Sequence, residues 1–281
     1  MEVFQQFEFT DHDFQYICDL VEDHAGIHLT DSKRELVYGR LARRLRHLGL
    51  GSFRQYCEIL KQGDSGEFVQ CINAITTNVT FFFREDHHFD YLATTVLPGV
   101  FKKYMHHTKP RLRIWSAGCS SGEEPYSIAM VLKKLVLFSG DLDIKILATD
   151  LDSDILDKAR TGIYTRDQVG KAALRNNRHW FRKDPGKNER LVHIGPEIKE
   201  LVFFKQLNLA APGWPMQGPF DVIFCRNVMI YFSKETRQSL CDRFADFLTD
   251  DGYLFIGHSE SLVSCTDRFK SVGKTIYRKI A

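Results

Sequence analysis

The 281-residue sequence has no paired C-x-x-C cysteines, no apolar run of membrane-spanning length and almost no net charge. Each absence narrows the class of protein. The seven cysteines, at 18, 57, 71, 119, 225, 241 and 265, are scattered and odd in number. That argues for reduced thiols, against a disulfide frame and against structural zinc, so no metal site is expected. The amino terminus, Met1-Glu2-Val3-Phe4-Gln5, lacks the basic flank and apolar core of a secretory leader. With no such leader and no spanning run, the expected location is cytoplasmic, without direct membrane insertion. A net charge of +2 calls for neither nucleic acid nor an anionic membrane as partner. Repeats and low-complexity tracts are absent, and no Ser-His-Asp or Cys-His arrangement points to nucleophilic catalysis.

What is present is the composition of an ordinary soluble globular chain, 43% hydrophobic and 26% charged. It is long enough for one large α/β domain and a smaller one. From residue 10 to about 74 the pattern is helical. Thr10-Asp11 caps a segment whose apolar positions Phe14, Ile17, Cys18 and Val21 have helical spacing, and Gly26 stops it. Thr30-Asp31-Ser32 caps a second helix from Lys33 to Leu48, ended by Gly49. Two shorter helices follow at 53–60 and 68–75, parted by the polar break 61–66. Residues 1-74 are therefore expected to form an all-helical amino-terminal domain, followed by an interdomain segment, 75-111, with a helix near 85–105.

From Leu112 strands and helices alternate, the mark of a mainly parallel sheet with right-handed crossovers. Strands are predicted at 112–117, 144–149, 201–206, 220–226, 252–257 and 274–279, and helices at 123–138, 153–160 and 233–248. The last two strands are expected to form an antiparallel edge. The fold class is thus α/β, a Rossmann-like sheet over 112-281. Residues 162-199 interrupt the alternation; Tyr164, Trp180, Phe181 and the strand-like Leu191-Val192-His193-Ile194 predict a small antiparallel β-subdomain inserted there.

Two strings set the ligand class. Arg113-Ile114-Trp115-Ser116-Ala117 runs into Gly118-Cys119-Ser120-Ser121-Gly122 and then a helix opening on Glu123-Glu124-Pro125; a second strand ends on Asp150. A strand leading through a small-residue loop into a helix, beside a strand tipped by a carboxylate, is how a Rossmann-type sheet holds a nucleoside. The small residues admit the ligand to the backbone, and the carboxylate accepts ribose hydroxyls. Gly118 and Gly122 do not fit the G-x-G-x-x-G spacing of a dinucleotide site. With the paired final strands, this favours S-adenosylmethionine. Other strand tips carry Asn208 and Arg226-Asn227, and polar groups on four tips point to a ligand site rather than to strand ends that merely face water.

Five strings occur in order: Ile75-Thr76-Thr77-Asn78-Val79-Thr80-Phe81-Phe82-Phe83-Arg84-Glu85, Ser121-Gly122-Glu123-Glu124-Pro125-Tyr126-Ser127, Ala148-Thr149-Asp150-Leu151-Asp152, Phe224-Cys225-Arg226-Asn227-Val228-Met229-Ile230-Tyr231-Phe232 and Gly257-His258-Ser259-Glu260. Together, over nearly the whole chain, they resemble the CheR family of chemotaxis receptor methyltransferases. The resemblance implies methyl transfer from S-adenosylmethionine to glutamate side chains of methyl-accepting chemotaxis receptors, giving γ-glutamyl methyl esters and S-adenosylhomocysteine. By motif, Asn78, Thr80 and Arg84 would reach the cofactor from the interdomain segment. Asp150 would hold the ribose, with one glutamate of the Glu123-Glu124 pair beside it. Asn208-Leu209 and Arg226-Asn227 would line the adenine and methionine ends. Arg84 and Tyr231 would lie closest to the transferred methyl as the catalytic residues; on the residues alone, Tyr231 within Ile-Tyr-Phe reads as core.

Such chemistry needs little machinery. A glutamate side chain, with a pKa of about 4.3, is already an anionic nucleophile at neutral pH, so no general base is required. The receptor is a Glu-rich helical bundle, and the second helix offers it Lys33, Arg34, Arg40, Arg43, Arg44, Arg46 and His47 around an apolar stripe of Val37, Leu41, Leu45 and Leu48. Arg43 and Arg46 should point away from that stripe, with Arg40 on its flank and Arg44 closest to it. A charge run on a helix is more often a solvated face. The resemblance places Arg40 and Arg46 at receptor-binding positions, so reversing either to Glu is expected to weaken receptor methylation and spare cofactor affinity. The protein is expected to act as a monomer. A rival reading, an RNA methyltransferase using the basic helix on phosphates, lacks a base-directed motif near the fourth strand. A non-catalytic cofactor sensor is opposed by the intact Asp150, Arg84 and Tyr231.

Overall fold

The computed structural model describes residues 6–104, 110–136, 142–263 and 265–280. Thr10 opens α1 (Asp11–Ala25) with a capping box shared with Asp13, and Gly26 at φ +69° closes it. The predicted cap at Thr30 is not made. Its hydroxyl bonds Ser32 Oγ at 2.8 Å, and a 3-10 turn over Asp31–Lys33 leads into α2 (Arg34–Leu48). Ser52 caps α3 (Phe53–Lys61) and Asp64 caps α4 (Ser65–Ile75). The inward faces of these four helices, including Ile17, Val21, Leu41, Leu45, Phe53 and Tyr56, close over a core of their own.

After the linker, α5 (His87–Tyr91) and α6 (Leu97–Tyr104) are joined by one π turn at Leu92–Val96. The wider turn falls just ahead of Pro98, which has no N–H to offer a regular helix. Residue 105 of the predicted helix, residues 137–138 of the next and the amino-terminal string 1–5 lie outside the described residues. The chain then runs β1 (Arg111–Ala117), α7 (Glu123–Val136), β2 (Asp143–Asp150) and α8 (Ser153–Thr161). An insertion follows with β3 (Ile163–Thr165), α9 (Arg166–Val169), α10 (Lys171–Asn177), β4 (Phe181–Lys183), β5 (Leu191–Ile194) and α11 (Pro196–Lys199). The remainder is β6 (Val202–Gln206), β7 (Phe220–Cys225), α12 (Lys234–Phe247), β8 (Leu248–Ile256), β9 (Phe269–Gly273) and β10 (Ile276–Lys279).

The main sheet has the order β6-β2-β1-β7-β8-β10-β9. Its first five strands are parallel, while β10 is antiparallel to both β8 and β9. Strand order reverses between β1 and β7, which opens a ligand crevice beyond their carboxyl ends. Alternate side chains of β1 serve opposite layers: Leu112 and Ile114 pack with α5–α7, Trp115 and Ala117 with Phe244 of α12. The edge strand β9 has no clean alternation and is half exposed, so periodicity alone missed it.

The insertion forms an antiparallel sheet, β3-β5-β4. It is no solvated loop. Tyr164, Trp180 and Phe181 are buried, and the linker's Phe82 ring sits 4.9 Å from Tyr164 and 5.7 Å from Phe181 between centroids. The helical region is tied to the sheet on the other side. Ile27 pairs with Phe232 in an isolated antiparallel bridge, the His28 N–H donates to Tyr231 O at 2.8 Å, and Asn208 Nδ2 donates to His24 O at 2.6 Å.

Candidate active site

A cavity of about 380 Å³ lies over the strand tips, between the helical region, the linker and the sheet. Of the predicted residues, Asn78, Thr80, Arg84, Glu124, Asp150, Asn208, Leu209, Arg226, Asn227 and Tyr231 line it; Glu123, Arg40 and Arg46 do not. Gly118 makes the approach possible. It holds φ +80°, and a Cβ there would lie 2.3 Å from Val228 Cγ2. Its loop feeds Asp150, whose Oδ2 accepts the Ser120 N–H at 2.7 Å and whose Oδ1 accepts the Asp152 N–H at 3.1 Å. Each oxygen keeps lone-pair capacity for a further donor, the pattern a ribose diol requires. Burial pushes the Asp150 carboxyl up, and these N–H groups pull it back.

The two glutamates of the pair face different neighbours. Glu123 turns aside to accept the Ser121 hydroxyl at 2.7 Å and does not line the cavity. Glu124 lines the cavity, accepting from Ser116 Oγ at 2.7 Å and from Arg226 Nη1 at 3.0 Å. Burial raises its pKa, with Arg226 opposing. Arg226 is itself buried, and its charged end faces into the protein, toward Glu124, Glu85 and the carbonyl of Arg84. It builds the wall; its charge is already neutralised. Beside it, Asn227 holds φ +61° and has a buried Oδ1 without a hydrogen-bond partner among the described residues. An amine or ammonium donor would satisfy that atom.

Arg84 has a quarter-exposed side chain, restrained by a 2.9 Å bond from Nη1 to Val79 O and by the Phe81 ring at 5.7 Å. Tyr231 stands across a 3-10 turn, Met229–Tyr231, whose end is fixed by the His28 bond. Two residues that hold these parts carried no assigned role in the sequence. Glu260 accepts the N–H groups of Asn227, Val228, Ile230 and Gly257 at 2.9, 3.0, 3.3 and 2.5 Å, fixing the loop after β7. Asp152 caps α8 with Oδ1 and holds Asn78 Nδ2 at 2.7 Å and Thr76 Oγ1 at 3.0 Å with Oδ2. The Gly257-His258-Ser259-Glu260 string marked the first; an acidic residue just before a predicted helix marked the second. Their long-range partners have no local signature.

The basic helix divides. Arg34 is engaged with Asp11 at 2.9 Å, and Arg44 with Glu67 at 2.5 Å. Arg40 also turns inward, toward the linker. Its guanidinium donates to Ile75 O, to Thr76 O at 2.7 Å and to Thr77 Oγ1 at 2.9 Å, clamping the start of the linker that carries Asn78 and Thr80. Arg43 and Arg46 are exposed, the latter with a 3.2 Å bond to Gln6.

The donor set therefore fits S-adenosylmethionine: a glycine with no room for a side chain, a two-oxygen acceptor at a strand tip and an unpaired buried acceptor at the switch point. Among the described residues no His, Cys, Asp and Glu group could hold a metal ion, and no helix is long and apolar enough to cross a membrane. Two family profiles match: "CheR methyltransferase, all-alpha domain" over residues 12–76 and "CheR methyltransferase, SAM binding domain" over residues 78–278. The chain is similar to chemotaxis protein methyltransferase 2 of Pseudomonas aeruginosa, at 42% identity over 97% of this chain and 95% of that protein. It is 41% identical to the chemotaxis protein methyltransferase of Escherichia coli over 99% of this chain and 94% of the relative. For the Salmonella typhimurium protein of the same name the identity is 40%, over 99% and 93%. With both profiles matched in order and the strand-tip cavity suited to the sulfonium cofactor, this chain belongs to the CheR methyltransferase family and is an S-adenosylmethionine-dependent methyltransferase.

Proposed function

We propose that this protein, acting as a cytoplasmic monomer, methylates glutamate side chains on the helical bundles of methyl-accepting chemotaxis receptors. The products would be glutamate 5-O-methyl esters and S-adenosylhomocysteine. One observation carries the reading: a ribose-type acceptor, Asp150, shares a single cavity with Arg84 and Tyr231 in a chain about 40% identical to chemotaxis methyltransferases. In this division of labour, 1-74 would meet the receptor, 75-111 would close over the cofactor, 112-281 would bind it, and 162-199 would brace the linker.

S-adenosylmethionine supplies a methyl group on a positively charged sulfur. Asp150 would accept the ribose hydroxyls, while Asn78, Thr80, Glu124, Asn208, Leu209, Arg226 and Asn227 would enclose the remainder. An incoming glutamate carboxylate forms the O–C bond as the C–S bond breaks, so opposite charges disappear and no proton moves. Water stabilises the separated charges more than the neutralising transition state, so excluding it from the mouth favours reaction. Arg84 and Tyr231 would align the carboxylate end-on to the methyl. The existing contacts of Arg84 with Val79 and Phe81, and its long 4.0 Å pair with Glu85, suit orientation rather than tight pairing, which would stabilise the ground state.

The test is incubation of the purified protein with methyl-labelled S-adenosylmethionine and receptor-containing membranes. Label that mild base releases as methanol supports a carboxyl ester. Base-stable label, or label in RNA and not in receptor, contradicts it.

A further inference from the structure

We propose that Glu85 is a positioning residue for methyl transfer, holding Arg84 at the cavity both directly and through the buried Arg226. The inference rests on the reading of Arg84 as the residue that orients the acceptor carboxylate. Phe83 and Glu85 both stand at φ +56°, a conformation that non-glycine residues keep only where their surroundings fix it. Phe83 is held by the Phe89 ring and by Ser127 Oγ; the surroundings of Glu85 are electrostatic. Glu85 Oε1 accepts from His258 Nδ1 at 2.9 Å and lies 4.0 Å from Arg84 Nε; Oε2 lies 3.3 Å from Arg226 Nη2 and 3.5 Å from His88 Nδ1. The same Nη2 donates to the Arg84 carbonyl, while Nη1 holds Glu124 at 3.0 Å.

One buried guanidinium thus lies between two carboxylates with a hydrogen on the peptide of Arg84. Its side chain is 2% exposed, so the pull of each carboxylate is little screened. Burial pushes the Glu85 carboxyl up, but the His258 bond and the Arg226 charge outweigh it and leave the pKa at about 2. Burial and Arg226 hold His88 down to about 3, so the imidazole is neutral and cannot replace Glu85 or Arg226 as a charge. The Glu85 Oε2 contact is an ion pair without an aligned hydrogen bond. Loss of the charge on Glu85 leaves Arg226 with Glu124 as its remaining anionic partner and draws it away from the Arg84 carbonyl. Arg84 then loses the anchor on its carbonyl and its side-chain ion pair, while Asp150 and its loop, on β2 and beyond β1, are untouched.

Glu85→Gln keeps the shape and removes the charge. Expected is a fall in kcat for receptor methylation on the order of 10- to 100-fold, with KM for S-adenosylmethionine and calorimetric affinity for S-adenosylhomocysteine within about threefold of wild type. His258→Ala removes the outer restraint at a side chain that is 57% exposed. It should lower kcat less, and should lower it no further in the Glu85→Gln background, because His258 acts through Glu85. Wild-type kcat in folded Glu85→Gln, an equal loss of S-adenosylhomocysteine affinity, or additive losses in the double variant overturns the proposal. Should Glu85→Gln fail to fold, His258→Ala decides alone: reduced kcat with intact affinity supports the role, and unchanged kcat overturns it. If the reading of the site is itself wrong, the wild-type protein methylates no receptor at all, a result distinct from any of these that takes the inference with it.

Discussion

Arg40 and Arg46 share one helix and face different neighbours. Charge-assisted bonds from Arg40 to the linker's carbonyls fix the segment that brings Asn78 to the cavity. Such bonds are worth about 1.5–3 kcal/mol. Arg40→Glu is therefore expected to weaken S-adenosylhomocysteine binding on the order of tenfold as well as receptor methylation, while Arg46→Glu raises KM for the receptor alone. Calorimetry and receptor titration separate the two, and wild-type cofactor affinity in Arg40→Glu would contradict the clamp. The flank position of Arg40 was legible from the helical stripe. Its partners, Ile75 to Thr77, were not, because only the packing of α2 on α4 brings them within reach. The same gap separates Asp150, readable at a strand tip, from Glu260, whose four N–H partners lie on two different loops.

Among the elements, the turn after β1 is the most demanding. Gly118→Ala would force an unfavourable φ and drive a methyl into Val228. Expected is a loss of about 1–3 kcal/mol, seen as a Tm lower by several degrees, with S-adenosylhomocysteine affinity reduced more than tenfold as the Val228 loop shifts. Thermal melts with and without S-adenosylhomocysteine check it; a wild-type Tm with wild-type ligand stabilisation would contradict it. The parallel strands were readable because buried β-strands carry continuous apolar runs, as in residues 222–225 of β7. The exposed edge Phe269–Gly273 carries no such run, and Thr30, with cap chemistry but another hydroxyl beside it, took the local bond instead. The insertion's β-character was legible in Leu191–Ile194. Its bracing of the linker through Phe82 is a tertiary fact.

Across the whole molecule, the network behind the cavity predicts acid sensitivity. His88 falls from an ordinary 6.5 to about 3, because burial and Arg226 disfavour its charged form. Below 6.5 the unfolded chain binds a proton that the folded chain refuses, so stability declines as pH drops from 6.5 toward 3. Glu85, lowered from 4.5 to about 2, adds a further loss between those values, since its paired carboxylate must be protonated. Groups facing this pair are Arg226, Arg84, Glu124, His87, His258, the Thr275 hydroxyl and the Lys274 carbonyl. Denaturant midpoints should fall from pH 7 to pH 5, and His88→Asn should flatten that slope; a pH-independent wild-type midpoint would contradict it.

The cradle for the sulfonium cofactor is tested most directly by calorimetry of S-adenosylhomocysteine on wild-type protein and on Asp150→Asn. An amide there sets a donor against the Ser120 and Asp152 N–H groups and removes a ribose acceptor. Expected is one equivalent bound by wild type and affinity weakened on the order of tenfold or more by the substitution. No heat with wild type, or the same affinity in both proteins, would contradict a ribose held at the tip of β2.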